Sequence, residues 1–377
     1  MKFWKPQGSL EGRLVLVRKY ARLKGSRATR QAASAMAVAV AAVAAGATGI
    51  VAGPGSAAAS TAGQARYLTQ DAKFKHPQLA HGLLTIVGTR ADDKITLRLK
   101  AGNPRILQVD VGDDGSADFR FKRAHIAKII VKARGGDDEV RIDESNGAFT
   151  TTIPTTIAGG GGNDTLTGGS GAETLRGGYG NDEIDGNGGN DLARLGAGDD
   201  TFTWDPGDGS DTIDGRSGND TMRFNGAAAA EQINLSANGS HLKFTRDVAS
   251  ITMDTVRVER VDFNALGGAD AVTVNDLTGT DVNSVNVDLA GALGGAAGDG
   301  VADRVIVNGT AGNDAIDVSG DANVVKVSGL AATTKILHSE VANDRLEVNT
   351  LAGADTVTSV GLAPGSIQLF VDGVLLP

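Results

Sequence analysis

The sequence predicts an all-β protein built as a stack of coils, each coil carrying one very short strand on either side. Three observations predict it. Residues 159–223 repeat a nine-residue frame seven times, aromatic residues make up only 4% of the chain, and aliphatic residues recur singly rather than in runs. A long, thin interior filled one aliphatic side chain at a time needs few large rings, whereas one globular core would need many.

The frame reads "GGGGNDTLT", "GGSGAETLR", "GGYGNDEID", "GNGGNDLAR", "LGAGDDTFT", then, after Trp204 and Asp205, "PGDGSDTID" and "GRSGNDTMR". Six glycine-rich residues make a turn that needs positive φ, which other residues reach only with strain. The last three alternate polar, apolar, polar, so one side chain points inward. The inward eighth positions are Leu166, Leu175, Ile184, Ala193, Phe202, Ile213 and Met222. Two units make one coil, and stacked coils bury a column of these residues. Leu195 and Pro206 stand where the frame begins with Gly elsewhere, and the Trp204–Asp205 insertion is expected to bulge one loop.

The same frame sets a physical problem. The sixth positions are Asp164, Glu173, Asp182, Asp191, Asp200, Asp211 and Asp220, so stacking turn on turn aligns carboxylates at the two edges. The segment holds 19 Gly, each of which costs about 0.5–1 kcal/mol more to order than alanine. One apolar residue in nine is a small return, and like charges add repulsion. A cation resolves this. Carboxylates and the carbonyls of a glycine turn suit a hard divalent ion, and Ca²⁺, larger and tolerant in geometry, suits them better than Mg²⁺.

These residues resemble the hemolysin-type, or RTX, calcium-binding repeats, whose pattern is G-G-x-G-x-D-x-U-x with U a large aliphatic residue. The resemblance covers residues 159–223. It implies a parallel β-roll with Ca²⁺ held between successive turns. Alternate units share an edge, which pairs Asp164 with Asp182, Asp182 with Asp200 and Asp200 with Asp220 on one edge. On the other edge it pairs Glu173 with Asp191 and Asp191 with Asp211. Carbonyls near Gly162, Gly180, Gly189, Gly198, Gly209 and Gly218 are expected to complete the shells. Glu173, which replaces Asp and follows Ala172, marks the weakest site.

The flanks echo the frame at wider spacing. Ile129 and Val131 precede Val140 and Ile142; Val261 and Phe263 precede Val272 and Val274; Val305 and Val307 precede Ile316 and Val318; Leu346 and Val348 precede Val357. Each set reads as strand, glycine-aspartate turn, strand. The flanks are therefore expected to be β-solenoid-like, with a hairpin-rich arrangement as the alternative. "VDVGDDGSADF" (109–119) has acidic spacing near that of a helix-flanked calcium loop. Gly112 and Phe121 occupy two of the ligand positions, however, so a hairpin turn around Asp114–Gly115 is expected instead.

Four segments follow: a secretory signal region at 1–59, a β-rich segment at 60–157, the repeat roll at 158–224 and a solenoid-like segment at 225–377. Residues 1–60 hold nine Lys and Arg against Glu11 alone, and a basic stretch precedes the uncharged run "AMAVAVAAVAAGATGIVAG" and an A-x-A pattern at Ala57 and Ala59. That is the layout of a signal for export, or, as the alternative, of a membrane anchor. No later stretch is apolar enough to span a bilayer. Subtracting these residues from the totals leaves 27 basic and 44 acidic side chains, a balance of −17. Such a surface repels nucleic acid and anionic membranes and attracts cations.

The absence of Cys excludes disulfides, thiolate metal sites and cysteine nucleophiles. The five His are scattered, and none of the H-E-x-x-H, G-x-S-x-G or G-x-x-x-x-G-K motifs occurs. The chain is read as a secreted, non-enzymatic calcium-binding protein of structural or adhesive role. Its partners are calcium ions and a cell-surface or matrix polymer. The alternative is an exported carbohydrate-active lyase or hydrolase working through acid pairs.

Overall fold

A computed structural model describes residues 74–376. The signal region expected at 1–59 lies outside the described residues. Among the described residues two sheets face each other, one of 15 strands and one of 14, with two single-turn 3-10 helices besides. Among the described residues no helix is long and apolar enough to cross a membrane.

Within residues 155–225 the chain alternates between the sheets at each strand. The strands Thr155–Gly161, Thr174–Tyr179, Leu192–Ala197 and Thr212–Ser217 are parallel neighbours in the larger sheet. Thr165–Thr167, Glu183–Asp185, Thr201–Trp204 and Thr221–Asn225 are parallel neighbours in the smaller one. This is a parallel β-roll. Register follows the frame: Leu166, Ile184, Phe202 and Met222 lie opposite one another in turn, as do Ile157, Leu175, Ala193 and Ile213. All eight are fully buried or nearly so. Full burial of a large aliphatic side chain stabilises by about 1.5–3 kcal/mol, and because coils touch only their neighbours the stability accumulates coil by coil.

The same two sheets continue through the flanks, with residues 157 and 224 lying inside the strands Thr155–Gly161 and Thr221–Asn225. The paired runs read from the flanks fall in opposite sheets. Lys128–Gly135 and Glu139–Asp143 flank one glycine-aspartate turn, and Arg304–Asn308 and Ala315–Gly320 flank another. The hairpins are there as well, as insertions into the coils. Lys94–Lys100, Asn103–Val111 and Phe119–Lys122 form an antiparallel set at one end of the smaller sheet. Gln232–Asn238, His241–Arg246 and Ile251–Val256 form another inside the larger sheet. Because each hairpin's strands join the sheet of their own coil, it lengthens the coil without breaking the stack.

Residues 109–119 form the hairpin turn expected of them. Asp118 accepts from the Val111 N–H (2.9 Å), Asp114 from the Ser116 N–H (2.9 Å), and buried Asp110 pairs with Arg98 (2.6 Å). The Trp204–Asp205 insertion meets expectation in part: Asp205 opens a turn in which the Asp208 N–H donates to the Asp205 carbonyl (3.0 Å). Trp204, by contrast, extends the strand Thr201–Trp204 rather than bulging a loop, and its ring is wholly buried. It lies two residues past Phe202, hence on the same inward face. The ring stacks on Phe224 at 3.9 Å, and its Nε1–H donates to the Gly209 carbonyl (2.8 Å). Phe224 in turn packs against Phe244 at 4.5 Å. This aromatic plug fills the core where the repeat coils meet the first wide coil.

Candidate metal centre

Each sixth-position residue sits in the turn just before a strand. Asp164, Asp182, Asp200 and Asp220 precede strands of the smaller sheet and form one edge; Glu173, Asp191 and Asp211 precede strands of the larger sheet and form the other. All the residue pairs expected from the sequence are brought together. The Asp164 N–H donates to Asp182 Oδ1 (2.8 Å), Asp182 N–H to Asp200 Oδ1 (2.7 Å), and Asp200 N–H to Asp220 Oδ1 (2.9 Å). On the second edge the Glu173 N–H donates to Asp191 Oδ1 (2.6 Å) and the Asp191 N–H to Asp211 Oδ1 (2.8 Å). The main-chain carbonyls run the opposite way: Asp164 O accepts from the Glu183 N–H and Asp182 O from the Thr201 N–H, each at 2.8 Å.

The bonds to side chains satisfy one carboxylate oxygen on each of Asp182, Asp191, Asp200, Asp211 and Asp220, and the Asp138 and Gly169 N–H groups do the same for Asp164 Oδ1 and Glu173 Oε2. The second oxygen of each residue is not satisfied. Oδ2 of Asp164, Asp182, Asp191, Asp200, Asp211 and Asp220, and Oε1 of Glu173, are buried without a hydrogen-bond partner. The residues are between 0% and 3% exposed. A buried carboxylate oxygen with no donor is costly, and a whole column of them is not a feature that packing alone retains.

The glycines shape the space beside those oxygens. A Cβ added to Gly177 would lie under 3.0 Å from both Asp182 Oδ2 and the Leu195 carbonyl oxygen, and one on Gly215 would meet Asp220 Oδ2 and the Arg257 carbonyl oxygen equally closely. A carboxylate oxygen and a main-chain carbonyl of the next coil thus converge where only glycine leaves room. Farther along the turn, the carbonyls of Gly162, Gly180, Gly189 and Gly198 point along the stack. They face Gly180, Gly198, Gly209 and Gly218 one coil on, again under 3.0 Å from where a Cβ would be. Among the described residues no three His, Asp or Glu side chains converge to hold a metal on their own. An ion here therefore draws on carbonyls as much as carboxylates, and that mixed, all-oxygen donor set fits Ca²⁺.

Burial pushes these carboxyl groups far above their usual range: Asp164 to about 6, Glu173, Asp182, Asp211 and Asp220 to about 7, and Asp191 to about 9. The hydrogen bonds from main-chain N–H groups pull the other way, and neighbouring carboxylates add to the rise at Asp182, Asp191 and Asp220. The folded values exceed the unfolded ones. Without a cation, the protonated groups therefore favour folding below about pH 4, and this contribution is lost as pH climbs through 6 to 9. With chelator present, the melting temperature is expected to fall between pH 5 and pH 8.5. Millimolar Ca²⁺ should flatten or reverse that trend, because the ion binds the deprotonated form. A chelated protein more stable at pH 8.5 than at pH 5 would contradict this account of the edges.

The first edge extends beyond the frame. The Asp138 N–H donates to Asp164 Oδ1 (2.9 Å), the Asp93 N–H to Asp138 Oδ1 (2.7 Å), and the Asp220 N–H to Glu259 Oε2 (2.7 Å). Asp138 Oδ2 is also buried and unpartnered. A second ladder, of opposite sense, runs beside it at the fifth position. The Asn163 N–H donates to Asp137 Oδ1, Asn181 N–H to Asn163 Oδ1, Asp199 N–H to Asn181 Oδ1 and Asn219 N–H to Asp199 Oδ1. Sequence reasoning missed both features. The signal for them was the recurring Asn-Asp or Asp-Asp pair just before a strand, including Asp137–Asp138, whose 26-residue interval to Asp164 lies outside the nine-residue frame.

The sequence model of the hemolysin-type calcium-binding repeat family, described as the RTX calcium-binding nonapeptide repeat, matches residues 155–178, 167–202 and 207–226, in four copies. No curated protein matches the chain. RTX nonapeptide repeats bind Ca²⁺, and the donors assembled at both edges are of the kind that ion takes. Residues 155–202 and 207–226 match the RTX calcium-binding nonapeptide repeats, and the β-roll that this segment forms is the architecture such repeats support for calcium binding.

Proposed function

We propose that the chain is an exported protein whose roll closes on external Ca²⁺ and then serves a structural or adhesive role on a cell-surface or matrix polymer. The observation that carries this reading is the column of buried, unpartnered carboxylate oxygens at two edges of the roll. In this reading Asp164, Asp182, Asp200 and Asp220 hold ions along one edge, and Glu173, Asp191 and Asp211 along the other. The carbonyls of Gly162, Gly180, Gly189 and Gly198, facing Gly209 and Gly218 among others, contribute the remaining protein oxygens. Such sites have little use where free calcium is submicromolar and much use where it is millimolar, which favours an extracellular setting. The basic and then uncharged residues 1–59 support export, and the balance of −17 beyond them supports a surface that gathers cations.

The test is a binding screen of the full chain against polysaccharides and intact cell surfaces, run in millimolar Ca²⁺ and again in chelator. Retention that requires calcium is the expected result. Retention equal in both conditions, or none on any surface, would count against the adhesive role.

A further inference from the structure

Beyond the repeats, the edge that carries Glu173, Asp191 and Asp211 is resumed by a second set of acidic residues. Asp270, Asp303 and Asp344 precede the strands Ala271–Val274, Arg304–Asn308 and Arg345–Asn349 of the larger sheet. They repeat the main-chain ladder of the repeat segment, although Asp344 Oδ2 is taken by the Glu340 N–H. The Asp270 N–H donates to Asp303 Oδ1 (2.9 Å) and the Asp303 N–H to Asp344 Oδ1 (3.0 Å). In return the Arg304 N–H donates to Asp270 O (2.8 Å) and the Arg345 N–H to Asp303 O (3.0 Å). The intervals are 33 and 41 residues, so no nine-residue frame announces them.

Three further observations point to a ligand. Asp270 is 2% exposed, and its Oδ2 is buried with no hydrogen-bond partner. The charges of Asp303, Glu231 and Asp299 all act on Asp270, and those of Asp299 and Glu340 act on Asp303. The coil before it shows what such a stack requires. Glu231, whose N–H donates to Asp270 Oδ1 (2.8 Å), is equally buried but carries an ion pair with buried Arg246. There the chain supplies its own cation.

The opposite ends of the same strands provide a contrast. Asn349 donates to Asn308 and Asn308 to Asn275, each at 2.9 Å. Amides both donate and accept, so that ladder satisfies itself, whereas ionised carboxylates only accept and cannot satisfy one another.

We propose that the turns ending in Asp270 and Asp303 form a second metal site, outside the RTX repeats, that takes a divalent cation with hard oxygen ligands, Ca²⁺. Asp270 Oδ2 is its innermost ligand, Asp303 its partner one coil on, and carbonyls and water complete the shell. Asp299 and Glu340 place further negative charge beside it. Glu231 binds no ion, because Arg246 occupies that role.

The experiment is hydrogen exchange of the full chain, with and without 1 mM Ca²⁺ (on the order of extracellular levels), on peptides spanning 266–272 and 298–304. Calcium is expected to slow exchange there on the order of tenfold for a site of about 10⁻⁴ M affinity. That response should persist in a variant whose five repeat steps are all broken by Asp182→Asn, Asp191→Asn and Asp200→Asn. It should vanish in Asp270→Asn, which keeps an acceptor for the Glu231 N–H, while residues 159–223 still respond. In chelator, Asp270→Asn should exchange no faster than the parent, because it removes a buried like charge without removing a hydrogen bond. A calcium response at these peptides that survives Asp270→Asn, or that disappears with the repeat sites, would overturn the proposal. Loss of response at residues 159–223 alone would instead bear on the repeats.

Discussion

Chelating calcium is expected to cost the roll on the order of 2–7 kcal/mol, the largest single effect foreseen for this protein. A site of about 10⁻⁴–10⁻³ M affinity, ordinary for extracellular modules, contributes about 0.4–1.4 kcal/mol at 1 mM Ca²⁺ by mass action. The ladders of the repeat segment have five steps between neighbouring acidic residues: Asp164 to Asp182, Asp182 to Asp200, Asp200 to Asp220, Glu173 to Asp191 and Asp191 to Asp211. Five such contributions rival the net stability of a whole domain. Calcium-titrated circular dichroism and thermal melting read the effect directly. Melting curves that coincide in chelator and in millimolar Ca²⁺ would rule it out.

The second large effect concerns one methyl group. Gly180 has φ +110°, and an added Cβ would lie under 3.0 Å from the Gly162 carbonyl oxygen and its carbon. Neither main-chain atom can swing aside as a side-chain tip would. Gly180→Ala is therefore expected to cost about 3 kcal/mol or more, combining φ strain with a forced separation of two coils. Gly207 is the internal control. Its φ is +122°, but nothing lies within 4 Å of the added Cβ. Gly207→Ala should cost only the strain, about 1–2 kcal/mol. Melting both variants in Ca²⁺ separates the terms, and equal losses would show that backbone strain alone, not the close approach of coils, explains the glycines.

Much of this arrangement was legible in the sequence because each repeat unit states its own geometry. One inward residue in nine, from Leu166 to Met222, specifies strand, side and register together, so stacking follows with little room for alternatives. The paired aliphatic runs of the flanks were legible for the same reason, and Ile129, Val131, Val305 and Val307 are buried as their alternation implies. Spacing hid the rest. An inserted hairpin such as Gln232–Asn238 with His241–Arg246 separates neighbours in the stack by some forty residues, and a fixed-period pattern cannot find them. Trp204 was misread because an insertion between turn-rich units resembles a loop. Its burial depends on Phe224, which belongs to a later coil and packs in turn on Phe244. The direction of the side-chain ladders depends on which carboxylate oxygen turns toward the neighbouring N–H, a matter of packed coils rather than of residue order.

The central claim is that calcium, rather than packing alone, holds the repeat coils together. Hydrogen exchange of residues 159–223, followed with and without millimolar Ca²⁺, tests it most directly, because exchange reports opening coil by coil. The expected result is fast exchange in chelator at the turns carrying Asp164, Asp182, Asp191 and Asp200, and strong protection of the same amides once calcium is added. Equal protection in both conditions would contradict the claim, for the buried carboxylates would then be accommodated without the ion.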